Sequence, residues 1–148
     1  MSVLLTASLS AALPLSAASH VDVVKMRTEN QVNPLGIGTL TPRFSWQITS
    51  DKKGVVQTSY QILVASSKEK LDRNEADLWD SGERNSDEQL WIPYQGKALL
   101  SGAQAYWKLR ITTNKGKSEW TEPQLFTIGL LGETKWSGTW IGLEDLQP

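Results

Sequence analysis

Residues 43–48 read RFSWQI. Phe44, Trp46 and Ile48 alternate with Arg43, Ser45 and Gln47, and successive strand side chains point to opposite faces, so the hexapeptide is a half-buried strand with an aromatic inner side. The same period returns in TSYQILVAS (58–66), where Tyr60, Ile62 and Val64 line up. In YWKLRITTN (106–114), Trp107, Leu109 and Ile111 oppose Lys108, Arg110 and Thr112. VDVVKMR (21–27), QLWIPY (89–94) and PQLFTIG (123–129) supply shorter strands, for six or seven in all.

The segments between carry turn chemistry: NPLGIG (33–38), DSGERN (80–85), YQGK (94–97) and NKGK (114–117). Asn114-Lys115-Gly116 is short enough for a hairpin with Gly116 at positive φ. The helical candidate is SSKEKLDRNEADLW (66–79), in which Ser66 and Glu69 are spaced as a capping box for one or two turns that tie one sheet to the other. Many short strands, little helix and no βαβ alternation predict an all-β fold: an antiparallel β-sandwich with one short helical turn, over residues 20–130.

Composition narrows the function classes. Fifteen Lys plus Arg stand against sixteen Asp plus Glu, for a net charge of -1, without the basic excess that phosphate neutralisation requires, so no nucleic acid is expected as a partner. Cysteine is absent and His20 is the one histidine, which removes thiolate chemistry and leaves only oxygen ligands for a metal; no cofactor and no metal site is expected. The opening MSVLLTASLSAALPLSAAS (1–19) is uncharged, apolar and ends in the small residues Ala17 and Ser19, as a secretory signal does. No Lys or Arg precedes its apolar run, so an uncleaved membrane anchor is the alternative. Either way the mature part is expected outside the cytoplasm: periplasmic, cell-surface or secreted.

Candidate chemistry is sparse. GIGTLTP (36–42) lacks the third glycine of a dinucleotide loop, and GKS (116–118) lacks the first glycine of a phosphate loop, so both are turns. Eight carboxylates gather between Glu69 and Glu88, but Lys68, Lys70, Arg73 and Arg84 are interleaved with them, which describes a solvated edge. His20 lacks a nucleophile partner. No catalytic residue emerges.

Seven tryptophans remain to be explained. Trp46 and Trp107 share the apolar parity of their strands and belong to the core, while Trp79 at a strand entry is open to either assignment. Trp91 is opposite in parity to Leu90 and Ile92, and Trp120 stands at the start of the last strand, so both are expected to face outward, toward a sugar or toward another domain. Trp136 and Trp140, in KWSGTWIG (135–142), follow the last sandwich strand and have no partner strand in the chain. They anticipate a further domain, with residues 131–148 as a linker and its first strand.

The succession NPLGI, TPRFSWQI, QTSYQILVASS, DLWDSGE, YWKLRI, SEWTEP and W-x-x-x-WIG resembles the N-terminal part of bacterial α-L-rhamnosidases, glycoside hydrolase family 78. The resemblance implies a fibronectin type III/immunoglobulin-like sandwich ahead of further β domains and a helical (α/α)6 barrel. That barrel would carry the two acidic residues for inverting hydrolysis of terminal α-L-rhamnose, and none of its positions has a counterpart here. The likeness to fibronectin type III modules has one departure: Trp107 stands where a tyrosine is usual, with Tyr106 one residue early, which puts the usual corner hydrogen bond in question.

The resulting expectation is a non-catalytic accessory module, cut short of the catalytic domain, that packs against and orients further domains of the same enzyme through Trp91, Trp120, Trp136 and Trp140. The alternative is a stand-alone carbohydrate-binding sandwich for rhamnose-containing glycans, and a weaker third is an adhesion module for a protein.

Overall fold

The computed structural model describes residues 20–132. The expected signal segment (residues 1–19), Trp136 and Trp140 lie outside the described residues. Among those described, no helix is long and apolar enough to cross a membrane.

Among the described residues the strands are β1 (Val21–Thr28), β2 (Arg43–Ser50), β3 (Gln57–Ala65), β4 (Trp79–Asp80), β5 (Ile92–Pro93), β6 (Gln104–Thr113), β7 (Gly116–Lys117) and β8 (Gln124–Thr127), with one five-residue helix, α1 (Lys68–Asp72). One sheet has the order β1-β2-β5; the other has β4-β3-β6-β7, with β8 also paired to β6. Every strand pair is antiparallel. Since β3 occupies one edge of β6, the short β7 and β8 share the other, β7 at Thr112–Thr113 and β8 at Gln104–Trp107. The expected antiparallel sandwich is the observed fold.

Alternation explains the core. Phe44 and Trp46 of β2, Tyr60, Ile62 and Val64 of β3, and Trp107, Leu109 and Ile111 of β6 are buried between the sheets. Phe44 is the hub, 4.4 Å from Trp107, 5.9 Å from Phe126 and 6.3 Å from Trp79, centroid to centroid. Trp79, left open by its sequence position, thus packs on the core, with Tyr94 edge-on at 5.5 Å. Gly96 is required there by close approach: a Cβ would fall 2.4 Å from Trp79 Cβ.

Period two does not account for β3 entirely, because Leu63 and Ala65 on its outer face are buried as well, under Leu71 of α1. The helix therefore roofs the outer side of the five-stranded sheet, touching β3 and β6, and does not tie the two sheets together. Its cap is also one residue later than expected. Ser67, extended at φ -146, accepts from the Lys70 N–H, while the Ser66 hydroxyl donates to Asp77 Oδ2 at 2.8 Å. Asp77 competes for Ser66 through both its N–H and its hydroxyl, and the neighbouring serine takes the capping role.

The NPLGIG segment crosses from one sheet to the other. Ile37 makes a parallel bridge to Ile128, its N–H donating to Thr127 O (2.9 Å), and Asn33 Oδ1 accepts from the Leu125 N–H at 2.9 Å. Residues 33–37 thereby cover the outer edge of β8. The NKGK hairpin forms as expected, with Gly116 at φ +135.

Candidate functional site

The two outward tryptophans within the described residues lie on opposite sides of the sandwich. Trp91 immediately precedes β5 and, at φ +60, is a rare bulky residue in the left-handed region. That kink removes it from the strand parity assumed for QLWIPY, and Leu90, expected on the inner side, is exposed. The Trp91 N–H donates to Ser45 Oγ (3.1 Å), and the segment before it is held along β2 by the Trp46 N–H donating to Gln89 O (3.0 Å).

Trp91 is 43% exposed and has the Arg43 guanidinium 4.1 Å over its ring. Arg43 is itself fixed: its backbone N–H and Nε donate to Glu29 Oε1 at 2.8 and 3.1 Å, and Nη2 donates to Oε2 at 2.8 Å. The side-chain hydrogen bond from Arg43 holds the Glu29 carboxyl below its ordinary range, against the effect of burial. Glu29, Arg43 and Trp91 thus form a stacked column on the outer face of the three-stranded sheet, with the indole half-covered by a cation.

Trp120 lies between β7 and β8, not in a strand, and belongs to the other sheet's outer face. It packs against the cluster of Leu63, Ala65 and Leu71, with Lys108 Nζ 5.1 Å and Arg110 Cζ 4.4 Å from its ring. Lys108, read from alternation as an outward residue, is buried; its ammonium donates to Leu71 O and to Asn74 Oδ1. Desolvation lowers its pKa. Trp120 is the lid of this cationic cluster and is less exposed than Trp91. Beside it, a groove of about 420 Å³ runs between β1 and residues 118–124, lined by Val21, Val23, Trp120 and Glu122 among others.

Four of the eight carboxylates between Glu69 and Glu88 are drawn into local ion pairs. Lys70 Nζ is 2.6 Å from Asp77 Oδ2, Arg73 Nε is 2.9 Å from Glu75 Oε1, Lys68 Nζ is 3.1 Å from Asp72 Oδ2, and Lys117 Nζ is 3.5 Å from Glu83 Oε1. Burial opposes ionisation of Asp77, but hydrogen bonds from Lys70 and Ser66 outweigh it and bring its pKa down to about 2. The shifts at Glu69, Glu75 and Glu83 are also downward, through hydrogen bonds to the charged form. A general acid for glycoside cleavage needs the reverse, a carboxyl raised by an apolar pocket. Among the described residues no group of three or more His, Asp or Glu is placed to hold a metal ion.

Sequence reasoning missed the Glu29 clamp on Arg43 and the burial of Lys108. Glu29 is 14 residues from Arg43 and gave no periodic signal. At Lys108, helix α1 covers a strand face that alternation alone assigns to solvent.

Residues 23–132 match the family described as "Rha78A-like, N-terminal immunoglobulin domain". An alpha-L-rhamnosidase of Formosa agariphila is 38% identical over 129 residues, 86% of this chain and 14% of that protein. One of Streptomyces avermitilis is 36% identical over 124 residues, 83% of this chain and 12% of that protein. Among solved structures, the Streptomyces avermitilis alpha-L-rhamnosidase complexed with L-rhamnose aligns at a TM-score of 0.75 and 35% identity over 83% of this chain and 12% of that one. The alpha-L-rhamnosidase from Dictyoglumus thermophilum gives 0.73 and 35% over 77% and 13%. The chain spans about one seventh of the length of the curated relatives it matches.

Proposed function

This chain belongs to the family of Rha78A-like N-terminal immunoglobulin domains, and we propose that it acts as a non-catalytic accessory module of an α-L-rhamnosidase, packing against and orienting neighbouring domains. The observation that carries the reading is the asymmetry of the match: 86% of this chain corresponds to 14% of a rhamnosidase, at 38% identity. The downward shifts of Glu69, Glu75, Asp77 and Glu83 are in keeping with this reading, since each favours the ionised form over the proton-donating one. In this reading the whole enzyme releases terminal α-L-rhamnose with inversion from glycosides or polysaccharides outside the cytoplasm. Its partners are the further domains of the same polypeptide.

A second reading is favoured by one observation, the exposed face of Trp91 held flat by Arg43. An aromatic platform of this kind can stack on a sugar ring, which would make the module a carbohydrate binder. The test is calorimetric titration of the purified chain with a rhamnose-bearing oligosaccharide, alongside an assay for p-nitrophenol release from the aryl α-L-rhamnoside. The accessory reading expects neither heat of binding nor product. Saturable binding lost in Trp91→Ala would overturn it in favour of the sugar platform.

A further inference from the structure

Along one flank of the sandwich the two sheets end side by side. Among the described residues β1 pairs with β2 on one side and with no strand on the other. Opposite it, residues 118–121 are fastened to β6 by the Ser118 N–H donating to Ile111 O and the Thr121 N–H donating to Leu109 O, both at 2.9 Å. The groove of about 420 Å³ lies between these two edges, and residues 21–26 and 118–122 line it without a gap. Strand side chains alternate between faces, so an unbroken run means that β1 turns its backbone edge to the groove. The lining then passes to Val32 and Gln124, where residues 33–37 begin to cover the edge of β8. The chain closes half of this flank with an extended segment of its own and leaves the half along β1 open.

Open strand edges are a template for another extended backbone. The apolar lining, Val21, Val23 and Trp120 among it, offers contact to every second side chain of such a strand. The charged lining is mostly acidic, with Asp22, Glu119 and Glu122 against Lys25. Asp22 is 2.9 Å from His20, whereas Glu119 and Glu122 form no ion pair among the described residues. The usable edge is short: the register of β1 shifts between Val24 and Arg27, and Lys25 at φ +50 leaves the extended conformation, so residues 21–24 are the stretch that can pair. Such a bulge prevents indiscriminate joining of long flat edges and suits a guest strand of about four residues, roughly 13 Å.

We propose that the groove between β1 and residues 118–122 is a strand-docking site whose occupant is an extended segment of a neighbouring domain of the same enzyme, with apolar and basic side chains in alternation. The proposal rests on the accessory-module reading and gives it a contact surface, to which Trp120 belongs and Trp91, on the opposite side of the sandwich, does not.

The probe is a blocked hexapeptide of alternating Val and Lys, titrated to millimolar concentration into the ¹⁵N-labelled full chain. Saturable shifts are expected at the amides of residues 21–24 and 118–122 and at the Trp120 indole N–H, with the Trp91 indole unmoved. Glu119→Lys combined with Glu122→Lys, both at exposed positions, should weaken binding about tenfold. The same peptide N-methylated at alternate residues keeps its charge but loses its strand donors, and should not bind. No saturable shifts with the Val-Lys peptide would overturn the site, as would equal binding of a Val-Glu peptide or of the N-methylated one. Shifts at these amides that grow with protein concentration alone would overturn the neighbouring-domain occupant and assign the flank to a second copy. None of these results touches the accessory reading, which fails separately, on saturable binding of the rhamnose-bearing oligosaccharide.

Discussion

The indole Nε1 of Trp46 donates to the side-chain oxygen of Gln57 at 3.0 Å, in the buried centre of the sandwich. The amide nitrogen of the same glutamine donates to Ser86 O and Glu88 O, both at 3.0 Å. One buried side chain thus joins the core tryptophan to the segment that leads into Trp91. Gln57→Leu leaves the indole and two carbonyls without that partner, and is expected to cost about 3 kcal/mol in urea unfolding. Loosened hydrogen exchange in residues 86–91 should accompany it.

Trp107 offers the contrast, since its buried Nε1 has no hydrogen-bond partner. Trp46→Phe creates a cavity and orphans the Gln57 oxygen; Trp107→Phe creates a comparable cavity and removes an orphan. The first substitution should be the more destabilising by about 1 to 3 kcal/mol, although both rings are buried equally well. Equal losses by chemical denaturation would contradict this account.

At Trp91 the backbone is predicted to invert the usual ranking of residues. With φ at +60, alanine there retains the left-handed strain and glycine does not, so Trp91→Gly should be more stable than Trp91→Ala by about 1 kcal/mol. In an ordinary strand the order is reversed. Paired thermal melts of the two variants decide it.

Asp77 sets an acid limit. Its carboxyl titrates at about 2 in the folded chain against an ordinary 3.8, so the folded form favours the ionised state. The associated stability is present above pH 3.8 and is lost as pH falls toward 2. Partial exposure of Asp77 and Lys70 screens the pair, leaving about 1 kcal/mol. Asp77→Asn should lower stability at pH 6 and flatten its decline between pH 4 and 2, measured by urea midpoints. The downward shifts of Glu29, Glu69, Glu75 and Glu83 act with the same sign in the wild type and remain in the variant.

Lys108→Met removes the donor to Leu71 O and Asn74 Oδ1 while preserving most of the side chain's volume. A loss of about 2 kcal/mol is expected, because the buried Leu71 carbonyl loses its charged partner. Faster amide exchange confined to α1 and residues 73–75 would identify the helix roof as the part released.

Strand parity made most of the core legible: Phe44, Trp46, Tyr60, Ile62, Val64, Trp107, Leu109 and Ile111 are buried as their alternation requires. Parity failed where a third layer intrudes, at Leu63, Ala65 and Lys108, because alternation presumes one wet face and α1 dries it. It failed again at Leu90, expected inside yet exposed, because Trp91 in the left-handed region breaks the alternation before Ile92. The capping position slipped from Ser66 to Ser67 because two adjacent serines satisfy the same local pattern, and only Asp77 distinguishes them. The tyrosine corner is likewise displaced: Tyr106 Oη accepts from Gln104 Nε2 (2.6 Å), whereas Tyr94 Oη donates to the backbone carbonyl of Lys97 (2.7 Å). The candidate site was legible only as a set of tryptophans; that Trp91 and Trp120 lie on opposite faces depends on strand pairing.

The bridge from residues 33–37 to β8 joins groups 91 and 92 positions apart in the chain, through the Gly36 N–H to Thr127 Oγ1 and the Leu125 N–H to Asn33 Oδ1. During synthesis, the strand edge that this bridge seals cannot be covered until nearly the last described residue has emerged. The sandwich should accordingly behave as a late, all-at-once folder, slow for its size. A ribosome-tethered chain ending before Leu125 should remain open to proteases however long it is held.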